Sequence, residues 1–240
     1  EDIARYAIYL REQDYAPHTV ERNLCSLKKF FGHLAANMEI LINPTETLVM
    51  GIVVQGLPVV LTQEETAKLL DQPNILTPVG IRDKALLEVL YSSGIRLEEG
   101  HNLNLEDIDT TAGFLRVNLG KGAKDRVVPL TKAACHWLEE YLTNVRPKFN
   151  PAKEQAALFL GAKTARRLHE TLIIKMVRDY ARKAGIAKKV TVHTIRHSVA
   201  THMLQNGAHI VQVQKLLGHS QVSITEIYTH IYPKDIKEAH

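Results

Sequence analysis

The sequence predicts a mainly α-helical protein with one small β-hairpin, divided into a short N-terminal helical domain and a larger C-terminal domain. Apolar residues recur at helical spacing over most of the chain, whereas two short strand-like runs lie within residues 114–130. A stretch with few charges and several Gly and Pro breakers interrupts the helical pattern. We therefore predict a first domain at residues 1–50, a linker at 51–60 and a second domain at 61–240.

Two helices are predicted in the first domain, at residues 2–13 and 19–37, because apolar side chains recur there every three or four positions. The segment Ala16-Pro17-His18-Thr19 separates them, and Thr19 is a suitable N-cap for the second helix. With two helices, this first domain is expected to be short or truncated.

The second domain opens with a helix that runs to about residue 70, because Thr62 is a suitable N-cap and acidic residues follow it in the first turn. Seven further helices are predicted near residues 80–93, 96–103, 131–146, 167–184, 194–205, 209–217 and 221–230. The hairpin lies before the third of these, with strands at 114–119 and 126–130 and a glycine-rich, charged turn between them.

The composition is that of a soluble globular protein. The 240 residues include 45% hydrophobic and 23% charged side chains, and a chain of this length can bury a good core. The sequence has no apolar run long enough to span a bilayer and no secretory start, so we expect a cytoplasmic protein. Cys25 and Cys135 form neither a metal-spaced motif nor a disulfide framework.

Positive charge is concentrated in one part of the chain. The formal net charge is +4, and residues 163–189 alone carry nine basic residues against two acidic ones. Such a stretch can bind the phosphates of a nucleic acid, although a solvated helix face is an equally good explanation of the charge alone. The candidates for DNA contact are Arg166, Arg167, Lys175, Arg178, Arg182 and Lys183 in this stretch, and Lys124 and Arg126 in the hairpin.

A second cluster follows directly and carries the candidate chemistry. At the start of a helix, His193 and Arg196 lie one turn apart on one face, and His219 and Tyr228 follow within some thirty-five residues of the chain. A tyrosine hydroxyl, with a pKa of about 10, is a weak nucleophile unless nearby cations favour the phenolate and neutralise charge on a phosphoryl group. Singly, each residue is more often a packing or surface residue, but their order favours a centre that cleaves a phosphodiester.

The order of these residues resembles the C-terminal signature of the tyrosine recombinases, or phage integrase family. The matching motifs are His193-x-x-Arg196-His197, Leu216-Leu217-Gly218-His219-Ser220 and Tyr228-Thr229-His230. Upstream, Ser92-Ser93-Gly94-Ile95-Arg96-Leu97-Glu98-Glu99 resembles the family's first box, in which Arg96 is the first catalytic arginine and Glu99 the supporting carboxylate. The hairpin sequence from Leu119 to Leu130 is a third match, with Lys121 at the position of the family's catalytic lysine.

The resemblance implies a reaction and a role for each matched residue. Tyr228 would attack the scissile phosphate to form a 3′-phosphotyrosine link, and Arg96, Arg196 and His219 would hold the non-bridging oxygens. Tyr232 is a rival nucleophile, but it precedes Pro233 and lies one turn too far from the signature histidine.

Two further residues would handle protons. His193 would assist proton transfer from the tyrosine. Lys121 would protonate the leaving 5′ oxygen, with Lys124 as the alternative, because a lysine can give up a proton and a guanidinium cannot. A plain basic turn is the competing interpretation of this segment. No cofactor is implied, because the bond energy is kept in the covalent link.

The resemblance also implies partners: double-stranded DNA recombination sites and a homotetramer on two such sites, with a monomer or dimer off DNA and no membrane. Residues 1–50 would be the family's helical core-binding domain, with a SAM-like fold. No metal is expected, because Thr194 replaces the glutamate that the zinc motif His-Glu-x-x-His requires. A type IB topoisomerase and a non-catalytic DNA-binding regulator remain as alternatives.

Overall fold

The computed structural model describes residues 2–48, 58–118 and 125–218. The chain forms two compact units, Glu1–Gly56 and Leu57–His240. In the first unit, α1 (Asp2–Glu12) and α2 (Pro17–Ala36) pack through the buried side chains of Ala7, Leu10, Val20 and Leu24. The predicted N-cap at Thr19 is wrong, because α2 begins with Pro17, whose fixed φ suits the first helical position.

The described part of the second unit is mainly helical with one small sheet, as the sequence predicts. Its helices are α3 (Gln63–Leu70), α4 (Pro78–Ser93), α5 (Leu97–Asn102), α6 (Lys132–Glu140), α7 (Glu170–Lys183), α8 (Val192–Gln205) and α9 (Ile210–Leu217). Its strands are β1 (Ile108–Asp109), β2 (Phe114–Val117) and β3 (Arg126–Pro129). Short 3₁₀ turns occupy Leu105–Asp107 and Arg146–Phe149, and a π-helical turn occupies Tyr141–Val145.

The three strands form an antiparallel sheet in the order β1-β2-β3, and β2 and β3 are the predicted hairpin. Leu115 pairs with Val128 and both side chains are fully buried, so this face of the hairpin belongs to the core. β1 is not predicted from the sequence, because two residues are too short to show an alternating pattern. The predicted strand end at Leu119 lies outside the described residues.

Helix α4 lies at the centre of the core and packs against α6 and α8. Leu86, Leu87 and Leu90 are fully buried, and hydrophilic residues of α4 are buried as well, so its sequence shows little amphipathic pattern. The predicted helix at 131–146 keeps α-helical geometry only to Glu140 and then continues through the π and 3₁₀ turns. In the described part of the chain, no helix is long and apolar enough to cross a membrane.

Two local features fix where helices of the second unit begin and end. Thr62 caps α3 by accepting a hydrogen bond from the Glu65 backbone amide, and the Glu65 side chain accepts one from the Thr62 amide in return, as in a capping box. Gly94 ends α4 with a φ of +58°, where a side chain would also place its Cβ 2.7 Å from Leu217 Cδ2. Only glycine fits this turn, which leads two residues later into the N-terminus of α5.

Candidate active site

Helix α8 presents two of the matched residues in different environments. Thr191 caps the helix through the Thr194 amide, which fixes the first turn. His193 in that turn is exposed, whereas Arg196 is only 4% exposed. The helix therefore directs one cationic side chain inward and leaves the imidazole accessible.

Arg196 ties together the ends of two other helices. Its Nη1 donates to the carbonyl of Gly94, which ends α4, and its Nη2 donates to the carbonyl of Leu217, the last residue of α9, both at 2.6 Å. Carbonyls at helix C-termini lack helical partners and carry partial negative charge, so they stabilise a buried guanidinium.

Arg96 is the N-cap residue of α5 and is held by Glu99 one turn later. Its backbone amide donates to Glu99 Oε2 at 2.7 Å, and its Nη1 donates to Glu99 Oε1 at 2.9 Å. Its Nη2 reaches the carbonyl of Gly218 at 3.4 Å. The side chain remains 39% exposed, so Arg96 is oriented by the protein and still accessible to a ligand.

Arg126 completes this arrangement from the sheet. Its two terminal nitrogens donate to the two carboxylate oxygens of Glu99 at 2.9 Å each, and its Nε donates to the carbonyl of Leu216 at 3.0 Å. The side chain is only 11% exposed. The sequence predicts that Arg126 contacts DNA, but the structure directs its guanidinium inward to Glu99 and Leu216, and no local sequence pattern indicates this pairing.

Glu99 is ionised in this environment. Burial raises the pKa of its carboxyl, but the hydrogen bonds and charge of Arg126, together with the backbone amide and guanidinium of Arg96, outweigh burial and lower it to about 2. The side chain is 6% exposed. Near neutral pH the carboxylate is thus an anion between two guanidinium groups.

The imidazole of His197 lies one turn beyond His193 on α8. Burial lowers its pKa, and the nearby charges of His193 and Arg196 lower it further. A neutral imidazole is therefore favoured at this position. The start of α8 thus places His193, Arg196 and His197 close together.

The described parts of the matched motifs come together at the end of α9. Arg96 and Arg196 come from different parts of the sequence, yet they contact adjacent backbone carbonyls, at Gly218 and Leu217. Two fixed guanidinium groups of this kind can bind a phosphate. His219 and Tyr228, which follow α9, and Lys121 and Lys124 in the hairpin turn lie outside the described residues.

The basic residues proposed for DNA contact fall into two groups. The exposed group comprises Arg166, Lys175, Arg178, Arg182 and Lys183, of which the last four lie on α7. Arg167 is directed inward instead, where its guanidinium donates to the carbonyls of His101 and Leu103 at 2.6 and 2.9 Å and to Asn104 Oδ1 at 2.6 Å. Among the described residues, no three His, Cys, Asp or Glu side chains are grouped so that they could hold a metal ion.

Comparison with known proteins identifies the family of this chain. A model of the phage integrase family matches residues 59–235, and the chain therefore belongs to the phage integrase family. Tyrosine recombinase XerD of Listeria monocytogenes is 36% identical over 239 residues, which cover all of this chain and 80% of that protein. The relatives of this chain are named as enzymes, the tyrosine recombinases XerC and XerD. This chain is therefore a tyrosine recombinase.

Solved structures show the same fold. The crystal structure of XerA recombinase has 30% identity and a TM-score of 0.67, covering 99% of this chain and 81% of that one. The XerH site-specific recombinase, described as bound to a palindromic difH substrate in a post-cleavage complex, has 24% identity and a TM-score of 0.83, covering 99% and 71%.

We predict that Glu99 makes stability depend on pH below neutrality. Its pKa is about 2 in the folded protein against an ordinary value of 4.5, so ionised Glu99 contributes roughly 3 kcal/mol to the free energy of unfolding. Because the folded pKa is the lower one, this contribution is complete above about pH 5 and is lost as the pH falls toward 2. Urea unfolding of the wild type should show this loss, and Glu99→Gln should lack that component. Parallel pH dependences in the two proteins would contradict the assignment.

Proposed function

We propose that this tyrosine recombinase cleaves and rejoins DNA at specific sites through Tyr228, and the convergence of Arg96 and Arg196 beside the end of α9 carries the proposal. The two guanidinium groups contact Leu217 and Gly218, and the sequence continues from there to His219 and to Tyr228, the proposed nucleophile. Their hydrogen bonds fix them before any ligand binds, and such preorganised charge is the most effective way to stabilise a phosphoryl transition state.

In the proposed reaction, the Tyr228 oxygen attacks the scissile phosphorus and the bond to the 5′ oxygen breaks. The products are a 3′-phosphotyrosine link and a free 5′ hydroxyl. Arg96, Arg196 and His219 bind the non-bridging oxygens, and His193 assists removal of the tyrosine proton. This role suits the exposure of His193 at the start of α8.

Lys121 is proposed to donate the proton that the leaving 5′ oxygen takes up. In the second half of the reaction, a 5′ hydroxyl from a partner strand attacks the phosphotyrosine link and releases Tyr228. The number of phosphodiester bonds is conserved, so the scheme needs no cofactor.

The proposed partners are double-stranded DNA recombination sites, bound by a homotetramer that joins two sites, in the cytoplasm. The structures of related recombinases described as DNA complexes support DNA as the partner. We assign residues 1–50 to the core-binding domain, 51–60 to the linker and 61–240 to the catalytic domain. The division into units at Gly56 and Leu57 falls within the proposed linker.

Tyr228→Phe should abolish the covalent protein–DNA adduct and leave DNA affinity nearly unchanged, because only the attacking oxygen is removed. The adduct is detected on denaturing gels after incubation with duplexes taken from the DNA that flanks the gene. Tyr232→Phe is the matched control and should keep the adduct. The assignment fails if the adduct survives in Tyr228→Phe and disappears in Tyr232→Phe. Wild-type exchange of strands between two such duplexes separates recombination from mere relaxation or binding.

Lys121→Ala should slow cleavage by about 10²–10⁴-fold, the usual effect of losing a general acid. A substrate with sulfur at the 5′-bridging position has a leaving group that needs no proton, so it should restore the rate of Lys121→Ala. Arg196→Ala should remain slow with the sulfur substrate, because it lacks charge stabilisation. Rescue of Lys124→Ala in place of Lys121→Ala would show that the general acid lies three residues further on.

The exposed face of α7 is proposed to contact the DNA backbone. Replacing Arg178 and Lys183 by Gln should weaken binding to specific and random duplexes alike. The slope of log affinity against log salt should also fall by nearly one unit for each phosphate that is no longer neutralised. Lys148 and Lys153, which are exposed outside the basic stretch, provide a control pair of Gln variants with the same charge change. Equal slopes of log affinity against log salt for the two double variants would show that the basic residues of α7 are solvent-exposed and do not contact DNA.

A further inference from the structure

We propose that Arg126 is a positioning residue of the cleavage reaction, which holds Arg96 in place through Glu99 and fixes the backbone of the chain just before His219. This inference rests on the proposed function, since it assumes that Arg96 binds the scissile phosphate. Arg126 itself would not touch the DNA. Its effect would pass through two groups that it bonds directly, the carboxylate of Glu99 and the carbonyl of Leu216.

The first argument is the pattern of backbone contacts at the end of α9. Three successive carbonyls, of Leu216, Leu217 and Gly218, each accept a hydrogen bond from a different arginine. The donors are Arg126 from β3, Arg196 from α8 and Arg96 from the start of α5. The sheet, the first box and the motif His193-x-x-Arg196-His197 thus converge on three adjacent peptide groups, and Arg126 is the sheet's contribution.

The second argument is the close fit of Gly218 against Arg126. Gly218 has a φ of +65°, and a Cβ there would lie 3.0 Å from Arg126 Nη1 and 3.1 Å from its Cζ. The backbone that leads into His219 therefore packs directly on the guanidinium. A smaller or more mobile side chain at position 126 would leave this turn with less support.

The third argument is the sharing of Glu99 Oε1, which accepts from both Arg96 and Arg126 at 2.9 Å. In the described part of the chain, the charged groups bonded to Glu99 are Arg96 at the start of its own helix and Arg126 on β3, while the Arg196 guanidinium bonds the carbonyls of Gly94 and Leu217. Burial raises the pKa of Glu99, and without Arg126 only Arg96 would lower it. Protonation would then become easier, and a protonated carboxyl holds Arg96 less firmly.

This reasoning separates positioning from simple stabilisation, because it predicts a change in the pH dependence of cleavage. In the wild type, Glu99 is ionised at every pH at which DNA cleavage is assayed. In Arg126→Gln, cleavage should slow by about 10–100-fold at pH 7.5, as expected for a misplaced catalytic group. It should also fall further as the pH is lowered from 7 to 5, whereas duplex affinity should stay within about twofold of the wild type.

The experiment compares single-turnover cleavage from pH 5 to 8 for the wild type, Arg126→Gln, Arg126→Lys and the double variant Arg126→Gln/Glu99→Gln. Arg126→Lys keeps the charge but not the bidentate geometry, so it should recover only part of the rate and show a smaller acid limb. The double variant should lose the acid limb, because nothing titrates at position 99.

The matched control is Arg82→Gln. Arg82 and the adjacent Asp83 form an ion pair of similar burial, 10% and 7% exposed, in α4. Arg82→Gln should lower the free energy of unfolding yet keep the wild-type shape of the pH profile below its unfolding temperature. An acid limb of equal size in Arg82→Gln would show that the effect of Arg126 is only structural.

A second readout does not require DNA. The carboxyl ¹³C signal of Glu99, assigned by its loss in Glu99→Gln, should titrate at a higher pH in Arg126→Gln than in the wild type and should be unchanged in Arg82→Gln. An unchanged Glu99 titration, or an Arg126→Gln enzyme that cleaves at the wild-type rate, overturns the inference. If the wild type cleaves none of the flanking duplexes, the proposed function fails, while the NMR titration still decides whether Arg126 controls Glu99.

Discussion

The described site depends on one buried carboxylate and the guanidinium groups around it. Glu99 is surrounded by Arg96 and Arg126, and the backbone that these arginines contact is also held by Arg196. Three arginines and one glutamate leave a net formal charge of +2 for this group of four. The three arginines repel each other, and Glu99 reduces this repulsion. A phosphodiester in contact with Arg96 would reduce it further, so the group favours an anionic substrate.

Burial alone does not decide the state of such a carboxylate, as a comparison with Asp83 shows. The Asp83 and Glu99 side chains are 7% and 6% exposed, and each accepts hydrogen bonds from an arginine. Burial nevertheless raises the pKa of Asp83, whereas that of Glu99 falls to about 2. Burial acts more strongly on Asp83, and the partners also differ: Glu99 has two guanidinium groups and a backbone amide, while Asp83 has one guanidinium, the Tyr180 hydroxyl and the nearby charge of Lys183. The hydrogen bonds from Arg96 and Arg126 thus keep Glu99 ionised, and the carboxylate in turn orients both arginines.

In the described residues, the sequence predicts the helices and the hairpin strands well, because hydrophobic spacing and caps such as Thr62 report local preferences directly. The predicted helix at 221–230 lies outside the described residues. The sequence also predicts that Arg96 and Arg196 belong to one centre, since the family motifs fix their identity. It cannot predict which way a basic side chain points. Their charge predicts that Arg126 and Arg167 contact DNA, yet both guanidinium groups bond to groups inside the protein. Their partners, Glu99 and the carbonyls near residue 103, are distant in sequence, and no local pattern reveals such pairs.

The way these arginines are anchored bears on how a flexible side chain can serve catalysis. An arginine has several rotatable bonds, and ordering it during the reaction would cost free energy at the moment when the transition state forms. Here that ordering is accomplished on folding, by carbonyls at helix ends for Arg196 and by a carboxylate for Arg96. Arg196 is buried, and charges attract each other more strongly there than in water, so burial strengthens its attraction for an anion. Arg96 sits beside a full negative charge that would weaken its attraction for phosphate. Arg126 counters this by binding both oxygens of Glu99, and the carboxylate can then orient Arg96 without cancelling its charge.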